Sequence, residues 1–377
     1  MKYNLPVGYL RGFVVALVVL HHVVLAYHPY APPPPASLIP QPHWWQAFPV
    51  VDPRRWGGAT IIAGFNDIFF MSLLFFLSGL FVWPGLERKG AARFLRDRLL
   101  RLGLPFAVAA AVIAPLAYYP TYLQIANHDG VAGFWRQWVA LDSWPAGPAW
   151  FIWVLFVFDA LAVQLFRFAP RWGGALACFR PAALFLLLVS VSAAVYMPMA
   201  MIFNPGQWSA WGPFTFQTSR ILHYFAYFLI GAGFGVAGVE REMMARRWWL
   251  WALRALLAFA IASIVAVAYL TAHPQSRAWA AATNLGFVLS CAASAMAFLA
   301  LFERFVRGPS RWFDSLSVNS YGIYLVHYAV VSWILFALAP LAWPAALKAG
   351  VAFTASLGVS WAVVAALRRL PGVARIV

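Results

Sequence analysis

Apolar runs of spanning length recur along the whole chain, separated by short polar connections. A hydrocarbon layer about 30 Å thick takes about 20 helical residues to cross. Runs of that kind fall at 10–28, 61–83, 102–119, 148–168, 181–203, 219–238, 249–270, 281–302, 319–340 and 346–367. The pattern predicts an all-α polytopic membrane protein of about ten transmembrane helices. Only Leu341-Ala342-Trp343-Pro344-Ala345 separates the last two runs, which predicts a tight helical hairpin. An even number of spans puts both ends of the chain on one side. Outside these runs no second domain stands out, so residues 1–377 read as a single integral-membrane domain.

Composition agrees with that pattern. Of the 377 residues, 63% are hydrophobic and 10% charged, against about 25% charged in ordinary soluble domains. The 27 Lys and Arg outnumber the 11 Asp and Glu, for a formal charge of +16. One set of connections holds Arg88, Lys89, Arg93, Arg96, Arg98, Arg101, Arg171 and Arg180. The same side carries Arg241, Arg246, Arg247, Arg304, Arg307 and Arg311, and the chain ends add Lys2, Arg11, Arg368, Arg369 and Arg375. The opposite loops hold mainly Arg54, Arg55, Arg136 and Arg277. Positive residues collect on the cytoplasmic side, so both termini are expected in the cytoplasm. The net charge is then mostly topological, and a nucleic-acid partner is not expected. The first apolar run is interrupted by His21 and His22, with no small-residue cleavage site before Tyr27-His28-Pro29, so it reads as a retained helix rather than a leader. Cys178 and Cys291 fall in a loop and a span, and no disulfide is expected between them.

Ionisable groups inside spans are expensive and are functional candidates by default. Here they are His21, His22, Asp67, Asp159, Arg220, His223, Glu303 and His327. His22 comes eleven residues after Arg11. On an α-helix that step returns to within roughly 20° of the same azimuth and rises about 16 Å. A cation at the membrane edge and an imidazole about halfway across therefore share one face, which suits an enzyme holding a charged carrier at one surface and moving protons deeper in. His21 points about 100° away, at most a packing or hydrogen-bonding partner.

Other clusters carry weaker signals. Arg93, Arg96 and Arg101 share much of a helical face with Arg98 flanking it, fit either for anionic lipid at the inner leaflet or for the phosphates of a cytoplasmic ligand. Ser78, in Phe75-Phe-Leu-Ser-Gly79, reads first as a small residue for helix contact and second as the lining of a channel. Ser320, Tyr324 and His327 form a polar stripe at i, i+4, i+7, which must face protein or water rather than lipid. Arg220 and His223, a turn apart near the outer face, either bind an acceptor or snorkel. The loop 29–60, with four consecutive prolines and then His43, Trp44 and Trp45, reads as a bilayer-interface segment more readily than a sugar platform. No nucleotide-binding loop, zinc-ligand spacing or Gly-x-Ser-x-Gly elbow is present, which argues against an ATP-driven pump, a metal centre and an ordinary serine hydrolase.

Taken in order, Arg11-x10-His22, Phe75-Phe-Leu-Ser-Gly79, Phe94-Leu-Arg-Asp-Arg-Leu-Leu-Arg-Leu-Gly-Leu-Pro105, Gly147-Pro-Ala-Trp-Phe151 and Ser320-Tyr-Gly-Ile-Tyr-Leu-Val-His327 resemble the membrane-bound acyltransferase 3 family. The ten-span layout fits the same family, and the chain is most similar to its glucan-modifying envelope branch. The resemblance implies transfer of an acyl group, acetyl or succinyl, from cytoplasmic acyl-CoA to a hydroxyl of an extracytoplasmic carbohydrate or glycolipid. It implies a location in the plasma (bacterial inner) membrane, with acyl-CoA as co-substrate and no permanently bound cofactor. His22 would be general base or proton shuttle. Arg11, Arg93, Arg96, Arg98 and Arg101 would hold the donor, and Ser78, Arg220, His223, Ser320, Tyr324 and His327 would line the channel. Many relatives have His-Leu where this chain has Pro148-Ala149, so no role of that histidine carries over. No esterase-like domain is fused to the spans, so the acceptor is expected to meet the membrane domain itself or a separate protein. Membrane lipid is an expected partner, and a homo-oligomer stays open. A proton-coupled transporter and a non-catalytic binder of lipid-linked sugar are the competing readings, and the transporter reading lacks a visible internal repeat.

Overall fold

The computed structural model describes residues 4–239 and 242–376, so Lys2 and Arg241, which count toward the orientation, lie outside the described residues. Among the described residues, ten helices are long and apolar enough to cross a membrane. They are α1 (Leu5–Leu25), α2 (Gly57–Lys89), α3 (Ala91–Leu123), α4 (Gly147–Phe168), α5 (Pro181–Ile202), α6 (Thr218–Val239), α7 (Trp248–Ala272), α8 (Arg277–Phe305), α9 (Arg311–Leu338) and α10 (Ala345–Leu367). The protein is thus an all-α polytopic membrane protein, with one small antiparallel hairpin, β1 (Trp208–Trp211) and β2 (Phe214–Gln217), between α5 and α6. Helices α1, α2, α6 and α8 form the packed centre, whereas α7 exposes Leu256, Leu257, Ile261 and Ile264, as a lipid-facing helix does. The hairpin expected between the last two spans is present.

Helix α1 starts earlier than its apolar run. Asn4 caps it by accepting the Val7 N–H at 3.0 Å, and Pro6 fits the first turn, where no N–H partner is needed. Arg11 therefore lies about 9 Å inside the helix and His22 only about 5 Å short of its outer end. The imidazole sits in the outer part of the span, not halfway. The apolar run begins at Leu10 because the first turn and a half are mixed in character.

Helix α3 contains two π-helical turns, Leu99–Gly103 and Ala109–Ile113. Each wide turn inserts an extra residue and rotates the remainder of the helix, a device common at functional sites. In α2, the segment that holds Ser78 crosses α6 at very short range. A Cβ on Gly79 would stand 2.1 Å from the Phe228 carbonyl oxygen, and one on Gly231 would stand 2.2 Å from that of Phe76. Backbone cannot yield as a side-chain tip can, so Gly79→Ala is expected to lower the thermal midpoint in detergent sharply, while Gly64→Ala, with open space around its Cβ, leaves it unchanged.

Residues 29–56 form a folded roof over the outer ends of α1, α3 and α9. The Asp52 and Trp56 N–H groups donate to the Ala26 and Tyr27 carbonyls at 3.0 and 2.9 Å. Gln124 clasps both backbone groups of Val51, at 3.1 and 2.9 Å. Trp45 is buried against Tyr118, so it is a core residue of the roof rather than an interface anchor; only its neighbour Trp44 is exposed. Lys348 of α10 holds the roof from the side, its Nζ 2.7 Å from Asp52 Oδ2, with both side chains buried.

Candidate active site

The close packing of α1 on α9 builds the site. Gly12 makes it feasible, since a Cβ there would press on the Ser317 backbone at 3.3 Å. Polar bonds tie the N-terminal parts of the two helices together: Tyr9 Oη donates to Asp314 at 2.6 Å, Ser317 Oγ to the Gly8 carbonyl at 2.9 Å, and Arg11 Nη2 to the Ser317 carbonyl at 3.2 Å. One side of Arg11 is thereby anchored while the residue stays exposed. Further out, the same two helices bring His22 and His327 together, with ring centroids 5.1 Å apart.

The contacts of the imidazoles fix which nitrogens carry protons. His327 Nδ1 lies 2.7 Å from the Tyr324 carbonyl oxygen, which can only accept, so Nδ1 is protonated and Nε2 is bare in the neutral ring. That bare Nε2 is 3.3 Å from His22 Nδ1, which also lies 2.8 Å from the Val18 carbonyl. His22 Nδ1 thus donates, shared between two acceptors, and the lone pair of neutral His22 is on Nε2. His22 is half-buried, and Nε2 is not among the buried orphan atoms. The stripe expected on α9 faces inward: Ser320, Tyr324 and His327 are all buried. Ser320 Oγ bonds back to the Ser317 carbonyl at 2.8 Å and so stiffens the helix rather than facing a ligand. Past the end of α1, partial burial and then nearby Arg55 lower the pKa of His28, so it adds no positive charge above the site near neutral pH.

Beside the imidazoles lies a small apolar cleft whose closed space, about 10 Å³, has room for about one water molecule. Helix α3 lines it with Ala109, Ile113, Ala114 and Ala117, and the turn into α4 adds Ala146, Pro148 and Ala149. Tyr324, Leu325 and Tyr328 of α9 close it. Tyr328 packs edge-on against His22, centroids 5.0 Å apart. The Gly147-Pro-Ala motif has a structural reason here. Gly147 has φ +56°, a conformation that glycine adopts freely, and a Cβ would touch the Tyr328 ring at 3.0 Å. Pro148 offers its carbonyl to Tyr324 Oη. The Gln46 carbonyl of the roof accepts from Tyr118 and Tyr328 at 2.9 and 3.1 Å, sealing the cleft from above.

The remaining predicted residues divide. Arg93, Arg96 and Arg101 are exposed, and Arg101, within the wide turn at Leu99–Gly103, donates from Nε to the Arg375 carbonyl at 3.2 Å. Arg98 turns inward to pair with buried Asp159 of α4 at 3.1 Å. Ser78 Oγ donates to the Leu74 carbonyl of its own helix at 2.8 Å. Arg220 does not snorkel; it grips the Asp67 carboxylate at 2.7 Å and the Asp67 carbonyl at 3.1 Å. His223 is buried against Ser72 Oγ at 3.0 Å and Cys291 Sγ at 3.6 Å, on the far side of α2 from His22. His21 points toward Phe70 and away from the α9 contact, as its azimuth required. The alanines of α3 and the contact of Tyr328 with His22 were not singled out by sequence reasoning, because small and aromatic residues in an apolar span carry no signal of their own; Gly147 entered only as part of its motif.

A bundle of ten apolar helices, in which half-buried His22 meets buried His327, defines an all-α polytopic membrane protein. Residues 7–365 match the family model described as an acyltransferase domain, and the chain belongs to that acyltransferase 3 family. It is a membrane acyltransferase, which favours the enzyme over the transporter and the non-catalytic binder. No curated protein and no solved structure gives a significant match to the chain.

Proposed function

We propose that the protein transfers an acyl group from cytoplasmic acyl-CoA to a hydroxyl of an extracytoplasmic carbohydrate or glycolipid, in a bacterial inner membrane, with His22 as general base. The observation that carries this reading is the bare, accessible Nε2 of His22, held in that tautomer by the Val18 carbonyl and His327, on the same helix as an exposed Arg11. His22 Nε2 takes the proton of the acceptor hydroxyl as its oxygen bonds to the thioester carbon. The carbon–sulfur bond then breaks, and the CoA thiolate takes up the proton. While His22 carries two protons, its Nδ1–H leans on the Val18 carbonyl and on the lone pair of His327, the orienting part a carboxylate plays in a serine–histidine–aspartate triad. Arg11, Arg93, Arg96 and Arg101 are all exposed, and their guanidinium groups suit the phosphates of CoA. Arg98, spoken for by Asp159, positions α3 against α4 instead.

The test is incorporation of label from acetyl-CoA into the glycan and glycolipid fraction by nanodisc-reconstituted protein, with binding measured alongside. Arg11→Ala is expected to weaken acyl-CoA binding about tenfold or more, the worth of a hydrogen bond to a charged group. A folded wild type that binds neither acetyl-CoA nor succinyl-CoA removes the donor from this reading.

A further inference from the structure

The geometry points to an acceptor site in the opening between α1, α2, α4 and α6, where the carboxylate of Asp67 receives the hydroxyls of the acceptor and Arg220 positions that carboxylate. This rests on the acceptor reading above and names where that molecule is held.

Depth and exposure come first. Asp67 lies ten residues, about 15 Å, from the roof end of α2, yet its side chain is 45% exposed. An ionised group at that depth faces protein or water, not hydrocarbon. Around the helix, Asp67 falls between Phe70, about 60° to one side, and Phe75, about 80° to the other. Phe70 packs on His21 of α1 with ring centroids 5.1 Å apart, and Phe75 packs on Phe151 of α4 at 4.5 Å. The exposed side of Asp67 thus looks into the bundle, between α1 and α4. Helix α4 begins beside Phe75, about 12 Å further along α2, and so does not cover Asp67. A Cβ on Gly64, one turn nearer the roof, would meet nothing within 4 Å.

The groups around the opening suit a sugar. Asp67 Oδ2 takes the Arg220 guanidinium at 2.7 Å. Among the described residues Oδ1 has no hydrogen-bond partner and is not a buried orphan, so its lone pairs face the opening. A charged oxygen accepts hydroxyl protons more strongly than a neutral one. Arg220 is buried against Phe287, which fixes the carboxylate and leaves Oδ1 unoccupied. Trp150 and Trp208 meet edge to face at 5.5 Å, and Trp208 is exposed, which adds an aromatic surface near Phe75. The same wall leads to the base: Phe70 touches His21, whose ring lies 5.4 Å from that of His22.

A soluble glycan and a glycolipid headgroup present the same hydroxyls, so label is counted in the two fractions separately. In a Cys178→Ser background, Gly64→Cys in nanodiscs is treated with a membrane-impermeant sulfonated maleimide. It is expected to react at least about tenfold faster than Leu256→Cys on the lipid face of α7, because a thiol reacts as its thiolate, which forms in water. Label transfer from acetyl-CoA and succinyl-CoA is then followed over a range of glycan and glycolipid concentrations. Asp67→Asn is expected to raise the half-saturating acceptor concentration about tenfold, the worth of a hydrogen bond to a charged group, with acyl-CoA affinity unchanged. Gly64→Trp, which adds bulk to the opening and keeps both partners of the ion pair, is expected to act in the same direction by at least as much. If Gly64→Cys reacts no faster than Leu256→Cys, or if both variants keep the wild-type half-saturation, the proposal is overturned while the transferase reading stands. If folded wild type labels neither fraction, the acceptor reading falls and this proposal with it. Should Asp67→Asn fail to fold, Gly64→Trp and the thiol labelling still decide.

Discussion

His22→Ala is expected to lower acyl transfer by about 10²–10⁴-fold, the usual contribution of a positioned general base, with acyl-CoA binding unchanged. The separation comes from distance along α1. Arg11 lies in the N-terminal third of α1, and His22 stands about 16 Å further along it. The variant should fold, because His22 is only half-buried and its polar partners are one carbonyl of its own helix and one imidazole. His327→Ala should act in the same direction with smaller effect, since Val18 still holds Nδ1. Single-turnover transfer alongside equilibrium binding reads both quantities. A fully active His22→Ala enzyme would falsify the assignment of the base.

The second large effect concerns stability. Lys348 and Asp52 form a buried ion pair, and Lys348 also donates to the Ala339 carbonyl at 2.9 Å. Removing one partner of a buried pair leaves the other charge without compensation, at a cost of about 3–5 kcal/mol. Lys348→Met is therefore expected to lower the unfolding midpoint strongly and to expose the roof, residues 29–56, to protease. Replacing both partners, Asp52→Asn with Lys348→Met, is expected to recover much of the loss, because no lone charge remains. Thermal unfolding and limited proteolysis of the two single variants and the double variant make the comparison. Singles as stable as wild type would mean that the pair does not hold the roof.

Much of the fold was legible in the sequence. The ten spans were, because lipid demands unbroken apolar helices of known length. The Arg11–His22 face and the inward stripe of Ser320, Tyr324 and His327 were, because regular helices obey one periodicity. That same assumption failed in α3, where two wide turns interrupt the regular period. Pairing across the bundle was not legible at all: nothing near Arg98 names Asp159, and nothing near Arg220 names Asp67. The proline-rich loop looked like a surface segment because much of what holds it lies far away in the chain, at Tyr118, Gln124, Tyr328 and Lys348. The cleft was invisible for a simpler reason, since an alanine that leaves room and one that fills it are written alike.

The roof has a consequence for how the molecule is made. Its clasp joins residues 296 positions apart, Asp52 near the start of the chain and Lys348 on the last span. Ribosomes release the chain from its N-terminal end, so the first outer loop leaves the translocation machinery long before its partners do. Its bonds to the end of α1 and to Tyr118 and Gln124 can form once α3 is made, but Asp52 must wait for Lys348 through the insertion of nearly every helix. The clasp over His22 therefore closes last, and a chain interrupted before α10 would carry the base of the site without the latch that shelters it.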